Sequence, residues 1–111
     1  MKYALLICDD ESRSPSNEVL AADPEHDAFL EELGRRSEVL GKARLRPVAD
    51  STTVKVRAGE TLVSDGPFAE TKDVVGGVII IECAHLDDAI AIAESHPYAR
   101  WGGVEIRPVW E

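Results

Sequence analysis

Tyr3-Ala4-Leu5-Leu6-Ile7, near the start of the chain, and Val78-Ile79-Ile80-Ile81, in its second half, are both unbroken apolar runs. A strand with one wet face alternates apolar and polar side chains. A short continuous apolar run instead marks a strand with water excluded from both faces. The two runs therefore predict strands of a sheet that is covered on both faces.

The remaining elements are read outward from these runs. The first strand is expected from Lys2 to Cys8. Asp9 to about Ala22 is polar, with Ser12, Ser14, Pro15, Ser16 and Asn17, and reads as a loop or flap; Glu18-Val19-Leu20-Ala21 has the makings of a short helical turn. Asp23-Pro24-Glu25 is a helix start, with a capping carboxylate, a proline at the first position and an acid at the positive end of the dipole. Phe29, Leu30, Leu33, Ser37 and Leu40 then recur at helical spacing, and Gly41 is a C-terminal stop. Leu45 to Val48 predicts a short strand. Thr52-Thr53-Val54-Lys55-Val56-Arg57 alternates, Ala58-Gly59-Glu60 turns, and Thr61-Leu62-Val63 returns as a hairpin. A second helix, from about Leu86 to Ser95, carries Leu86, Ala89, Ile90 and Ala93 on one stripe and ends at Pro97. The last strand is Val104 to Val109, after Gly102-Gly103, which read as a bend.

With the hairpin as an insertion, the order is βαββαβ, the ferredoxin-like α+β arrangement. Its antiparallel sheet carries two helices on one face. A chain of 111 residues makes one domain and has no further helix for the other face. The simplest cover is a second copy packed sheet to sheet as a two-fold homodimer. The alternative is that the 9–22 loop and the hairpin fold over that face.

Twelve Lys and Arg stand against 21 Asp and Glu, a net charge of −9. That balance disfavours direct nucleic-acid binding and attachment to an anionic membrane by a basic face. No apolar run approaches the roughly 20 residues of a membrane helix. The N-terminal run is cut off by Asp9-Asp10-Glu11 with no small-residue cleavage site, so a cytoplasmic protein is expected. Cys8 and Cys83 lie in apolar runs and are expected as buried small hydrophobes, not as a disulfide or a nucleophile. No Gly-rich phosphate loop, nucleotide fingerprint or zinc spacing occurs, so neither a cofactor nor a metal is expected.

Asp65-Gly66-Pro67-Phe68-Ala69-Glu70-Thr71-Lys72-Asp73, followed by Gly76-Gly77 and closed by Val104-Glu105-Ile106-Arg107-Pro108-Val109-Trp110, resembles the DGPF group of the YCII-related protein family. The 52–57 strand and the helix ending in His96-Pro97 fit the same pattern, so the resemblance spans essentially the whole chain. It implies a dimeric α/β barrel of ferredoxin-like subunits. The wider group resembles small barrel enzymes, among them a dehydrochlorinase, muconolactone isomerases and cofactor-free monooxygenases. The resemblance further implies a cleft His–Asp pair, the His early in the first helix and the Asp in an Asp-Pro-aromatic motif after the second. His26 matches the first place. His96, followed by Pro97-Tyr98, stands at the second, so the pair does not carry over whole. DGPF-type proteins often accompany alternative sigma factors, which suggests a regulatory or ligand-sensing role as the alternative to enzymatic activity.

The candidate site residues are weighed on their own chemistry as well. His26 sits in the first turn of its helix, where the positive end of the dipole suits an imidazole that accepts a proton as a general base. The alternative is a surface His beside Asp27. His96 ends the second helix and either pairs with an acid across a cleft or simply caps. Asp65 either fastens the Gly66-Pro67 turn or points a carboxylate into a pocket, with Phe68 as an apolar wall. Glu70 and Lys72 point the same way on an extended chain and either pair or bind a polar ligand. Glu105 and Arg107 share one face of the last strand. If that face is enclosed, Arg107 can clamp a small anionic substrate; if not, both are surface charges. The leading expectation is a cofactor-independent lyase or isomerase in which His26 moves a proton, Asp65 or His96 orients it and Arg107 holds the substrate.

Overall fold

In the computed structural model, which describes residues 1–111, the elements in chain order are β1 (Lys2–Asp10), α1 (Asn17–Ala21), α2 (Pro24–Arg36), β2 (Glu38–Arg44), β3 (Thr52–Arg57), β4 (Glu60–Asp65), β5 (Asp73–Glu82), α3 (Leu86–Glu94) and β6 (Gly103–Pro108). β1 pairs antiparallel with β5 on one side and β6 on the other, and β2 adds outside β5, giving the order β2-β5-β1-β6. This is the expected ferredoxin-like α+β arrangement. β3 and β4 form a separate two-stranded sheet.

Burial alternates along β1. Tyr3, Leu5, Ile7 and Asp9 are buried, while Ala4, Leu6 and Cys8 are half-buried. The first set faces the helices. There Phe29 and Leu33 of α2 and Ala89 and Ile92 of α3 pack on Tyr3, Leu5, Ile7, Ile79 and Ile81. Burying each large apolar side chain of this kind contributes about 1.5–3 kcal/mol. Arg36 reaches from α2 to Asp88 of α3 at 3.5 Å and fastens the two helices at their outer edge.

The second set of β1 residues lies on the far face, with Leu6 opposite Val78 and Ala4 opposite Ile80. No helix covers it, and the smallest dimension of the chain, 19 Å, is that of two layers at about 10 Å each. Nor does the chain fold back over this face. Residues of the 9–22 segment line the helix side instead, and the hairpin is a sheet of its own. Cys8 is therefore half-buried on the open face, whereas Cys83 is buried as expected, and both are free thiols.

Three boundaries differ from the sequence reading. β1 continues through Asp9 and Asp10, because a bulge after Ile7 re-registers them against Val74 and Asp73. α2 stops at Arg36, where Ser37 turns extended and donates its hydroxyl to the Leu33 carbonyl at 2.7 Å. Leu40 and Gly41 thus belong to β2, an edge strand, and Leu45 to Val48 is not a separate strand. Ladder pairing with β5 outweighs the helical spacing of those residues. The polar 9–22 segment is partly ordered, with α1 capped by the Ser16 hydroxyl, which accepts from the Val19 N–H at 3.2 Å.

Gly102 sets how closely the loop before β6 approaches β1. A Cβ there would stand 2.1 Å from the Cys8 carbonyl oxygen and 3.1 Å from the Asp9 Cα. Backbone on both sides leaves no flexible atom to yield. Gly102→Ala is expected to cost about 1–3 kcal/mol or more, read as a lowered urea midpoint. Gly103, with no atom within 4 Å of its Cβ position, is the control. An unchanged midpoint for Gly102→Ala would show that the two backbones are not in contact.

Candidate functional site

The buried row of β1 runs Tyr3, Leu5, Ile7 and then Asp9, so the apolar floor ends in a carboxylate. Asp9 Oδ2 accepts from the Trp101 indole N–H at 3.1 Å, and Oδ1 accepts from the Asp10 N–H at 2.7 Å. Beside it opens a cleft of about 1150 Å³, bounded by the helix side of the sheet, the first turns of α2 and the 11–21 segment. Ile7, Phe29, Leu30 and Ile79 give it apolar walls; Asp9, His26, His96 and Tyr98 give it polar ones. Lys42 and Arg44 enter from β2. Arg44 donates to the Asn17 side-chain oxygen and to the Pro15 carbonyl, strapping the 15–17 segment to the edge of the sheet. Glu11 accepts from the Val48 N–H at 2.8 Å and ties the same segment from its other end.

His26 and His96 come together. Their ring centroids are 6.4 Å apart, edge to face. Phe29 packs edge-on against His96 at 4.6 Å, and Tyr98 lies 5.1 Å from it on another side. His26 is placed by the first turn of α2, which Asp23 caps by accepting from the Glu25 N–H at 2.9 Å. His96 is placed by the single 3₁₀ turn Pro97–Arg100, whose start it caps: its Nδ1 accepts from the Tyr98 N–H at 3.0 Å. An ion pair between Glu25 and Arg100 holds these two segments together beside the histidines.

His96 is buried. Loss of hydration, seconded by the charge of His26, lowers its pKa from 6.5 to about 4. It is neutral at pH 7. Because Nδ1 is an acceptor, the single ring proton sits on Nε2, which makes that nitrogen a donor. The Tyr98 hydroxyl is buried and finds no hydrogen-bond partner within the chain. Burial raises its pKa above the usual phenol value; the Arg44 charge opposes this, and those of Asp9 and Asp23 reinforce it. The cleft therefore holds two uncharged donors beside a second imidazole.

The other residues expected at the site lie elsewhere. Asp65 ends β4 and is exposed on the hairpin. Phe68 is exposed, with Lys55 Nζ 5.2 Å from its ring centre. Glu70 lines a separate shallow hollow with Gly66, Pro67 and Val74, and Lys72 is exposed. Glu105 and Arg107 stand opposite Leu6 and Ala4, on the sheet face away from the helices, with Arg107 Nε 3.7 Å from Glu105 Oε2. The expected meeting of His26 with Asp65 and Arg107 does not occur within the chain. The pleat of β6 turns Arg107 away from the cleft, and the hairpin carries Asp65 away from it. Asp9, Tyr98, Lys42 and Arg44 occupy the cleft in their stead. Of these, Asp9 was open to detection, since the period-two row of Tyr3, Leu5 and Ile7 reaches it in one further step.

A ferredoxin-like domain with a histidine pair between sheet and helices defines the structural class. Residues 1–111 match the family model of the YCII-related domain. An uncharacterized protein of Rhizobium meliloti (strain 1021) is 36% identical over 118 aligned residues, covering 98% of this chain and 92% of that protein. The chain belongs to the YCII-related family. No helix of the chain is long and apolar enough to cross a membrane.

The lowered pKa of His96 sets a direction for stability with pH. The unfolded chain takes up a proton on this side chain near pH 6.5, whereas the folded chain does so only near pH 4. The contribution is whole above pH 6.5 and is lost as pH falls towards 4, up to a loss on the order of 2 kcal/mol. Asn at this position keeps an oxygen to accept from the Tyr98 N–H and does not titrate. Between pH 7 and pH 4.5, His96→Asn should therefore lose less urea stability than the parent. Equal losses would show that His96 titrates alike in the folded and unfolded chain.

Proposed function

We propose that the protein is a cofactor-independent enzyme of lyase or isomerase type that acts, as a homodimer, on a small anionic substrate in this cleft. The observation that carries the reading is the pairing of His26 with a buried, neutral His96 in one cavity. His26, half-buried in the wall, takes a proton from a substrate carbon. Negative charge then develops on a neighbouring substrate oxygen. The Nε2–H of His96 and the hydroxyl of Tyr98 are uncharged donors of the kind that stabilise such an oxyanion. The proton returns to a different carbon in an isomerisation, or stays on His26 while a leaving group departs in an elimination. Lys42, which makes no ion pair, is assigned the substrate's anionic group. Asp65 and Arg107 have no part in this mechanism, since neither lines the cleft.

The homodimer is supported by the apolar strip of Ala4, Leu6, Val78 and Ile80, which lies on the far face of the sheet beside Glu105 and Arg107 with no layer over it. A regulatory module acting with an alternative sigma factor is the rival reading, and it gives the paired histidines no task.

Small carboxylic acids that raise the melting temperature can be screened by nuclear magnetic resonance for protein-catalysed exchange of a carbon-bound proton with D₂O. Proton transfer by a positioned side chain contributes about 10²–10⁴-fold. His26→Ala should lower the exchange rate by about that factor with its melting temperature retained. A folded His26→Ala variant that exchanges at the parent rate would remove His26 from the chemistry.

A further inference from the structure

We propose that Asp9 is a substrate-recognition residue, and that the substrate of the cleft carries a hydrogen-bond donor, a hydroxyl or an ammonium, at the end remote from its anionic group. The inference deepens the function proposed above and rests on it.

Three acids line the cleft, Asp9, Glu11 and Asp27. Asp27 is exposed, and Glu11 is bound to the Val48 N–H. Asp9 is only 6% exposed, yet none of the ion pairs of the chain includes it. A buried carboxylate without a cation is costly and depends on its hydrogen bonds. The two oxygens of a carboxylate offer about four acceptor positions. The chain fills one on each, from the Asp10 N–H and from the Trp101 indole N–H. The indole reaches Asp9 because Gly102 lets the loop before β6 close on β1. The structure thus fixes the direction of a buried carboxylate and leaves it acceptor capacity. The other buried polar groups of this wall, His96 Nε2 and the Tyr98 hydroxyl, are donors without a partner in the chain. A ligand group that meets Asp9 has to donate; one that only accepts would face a bare carboxylate.

The sheet register places that donor relative to the anion. On β2, Lys42 stands opposite Ile79 and Arg44 opposite Gly77 of β5. On β1, Leu5 stands opposite Ile79 and Ile7 opposite Gly77. Asp9 follows Ile7 as the next residue on the same face. Two strand spacings, roughly 10 Å, separate the backbones of β2 and β1. Neither Lys42 nor Arg44 closes that gap, since neither pairs with Asp9. Gly77 lies between the two strands without a side chain, which leaves the floor of the cleft open along this line. The anion held at β2 and the donor held at β1 therefore belong to different ends of the substrate.

Isothermal titration calorimetry compares straight-chain acids, butanoic to octanoic, with their ω-hydroxy and ω-amino counterparts. The proteins are the parent, Trp101→Phe, and Trp101→Phe combined with Asp9→Asn. Removing the indole spares the asparagine amide a clash of two N–H groups and lets its oxygen keep the Asp10 N–H; circular dichroism checks the fold. A site built to bond a donor strongly rejects the analogue that lacks it. The parent and Trp101→Phe are expected to bind one substituted series at least tenfold more tightly than the plain acids, and the series that gains identifies the donor as hydroxyl or ammonium. Adding Asp9→Asn is expected to remove the preference. Where the double variant does not fold, the preference of the parent decides. Binding without that preference, or a preference that survives Asp9→Asn, overturns the role of Asp9 and leaves the anion-binding cleft standing. No binding by any of the acids at about 10 mM, weaker than any affinity of use to an enzyme at ordinary substrate levels, overturns both.

Discussion

β1 is hydrogen-bonded along both edges, and that double pairing is the constraint from which the rest of the architecture follows. A strand held on both sides cannot rotate, so its period of two assigns every side chain irrevocably to one face. Odd positions feed the helix-covered core and even positions feed the open face. The same pleat that buries Leu5 and Ile7 delivers Asp9 to the cleft. It also lays Ala4 and Leu6 against Ile80 and Val78 on the far side. Core, cleft and open face are three outcomes of one register. The missing side chain at Gly102 then lets the 101–103 backbone close on Cys8 and Asp9, which brings the Trp101 indole within reach of the carboxylate.

The electrostatics of the cleft run against those of the whole chain. With a net charge of −9, the protein as a whole repels anions. Yet two side chains of β2, Lys42 and Arg44, enter the cleft, and two imidazoles face each other inside it. A low-dielectric recess focuses such local charge, so the field at the site differs from that of the surface. Arg44 is already committed to Asn17 and Pro15 as a strap. Lys42 is left as the mobile charge. Neutral His96 and protonated Tyr98 can sit near these cations without repulsion, and both keep a proton to donate.

Much of this was legible in the sequence, for reasons that can be traced. The unbroken apolar runs are strands, β1 and β5, and the Asp23-Pro24-Glu25 cap and the hairpin turn are local signals that tertiary structure leaves intact. Legibility failed where a tertiary partner overrode a local pattern. Leu40 has helical spacing from Phe29 and Gly41 reads as a helix stop, yet β2 runs through both as it pairs with β5, with Leu40 in the irregularity between Val39 and Gly41. Asp9 looks like the start of a loop because carboxylates are rare inside, and its burial is made tolerable by the Asp10 N–H and by the indole of Trp101, 92 residues away. Arg107 illustrates the opposite error. Its alternation with Ile106 is plain in the sequence, but the strand alone does not say which face meets the helices. That choice is made by the register against β1.

The cleft and the open face are two sides of the same four strands, which links assembly to chemistry. The main core gathers ten buried residues, a small number to hold polar groups such as Asp9 and His96 inside a two-layer domain. Each buried polar side chain adds a desolvation cost that the surrounding apolar contacts must offset. In the proposed homodimer, covering Leu6, Val78 and Ile80 removes further apolar area from water on the reverse of the strands that carry Asp9 and Ile79. Stability gained on one face of that dimer would be transmitted to the other through the shared ladder of β1 and β5. A monomer would hold Asp9 and His96 in the same places with less to restrain them. In the proposed homodimer, a site built on a thin sheet would thus gain from a partner that never enters it.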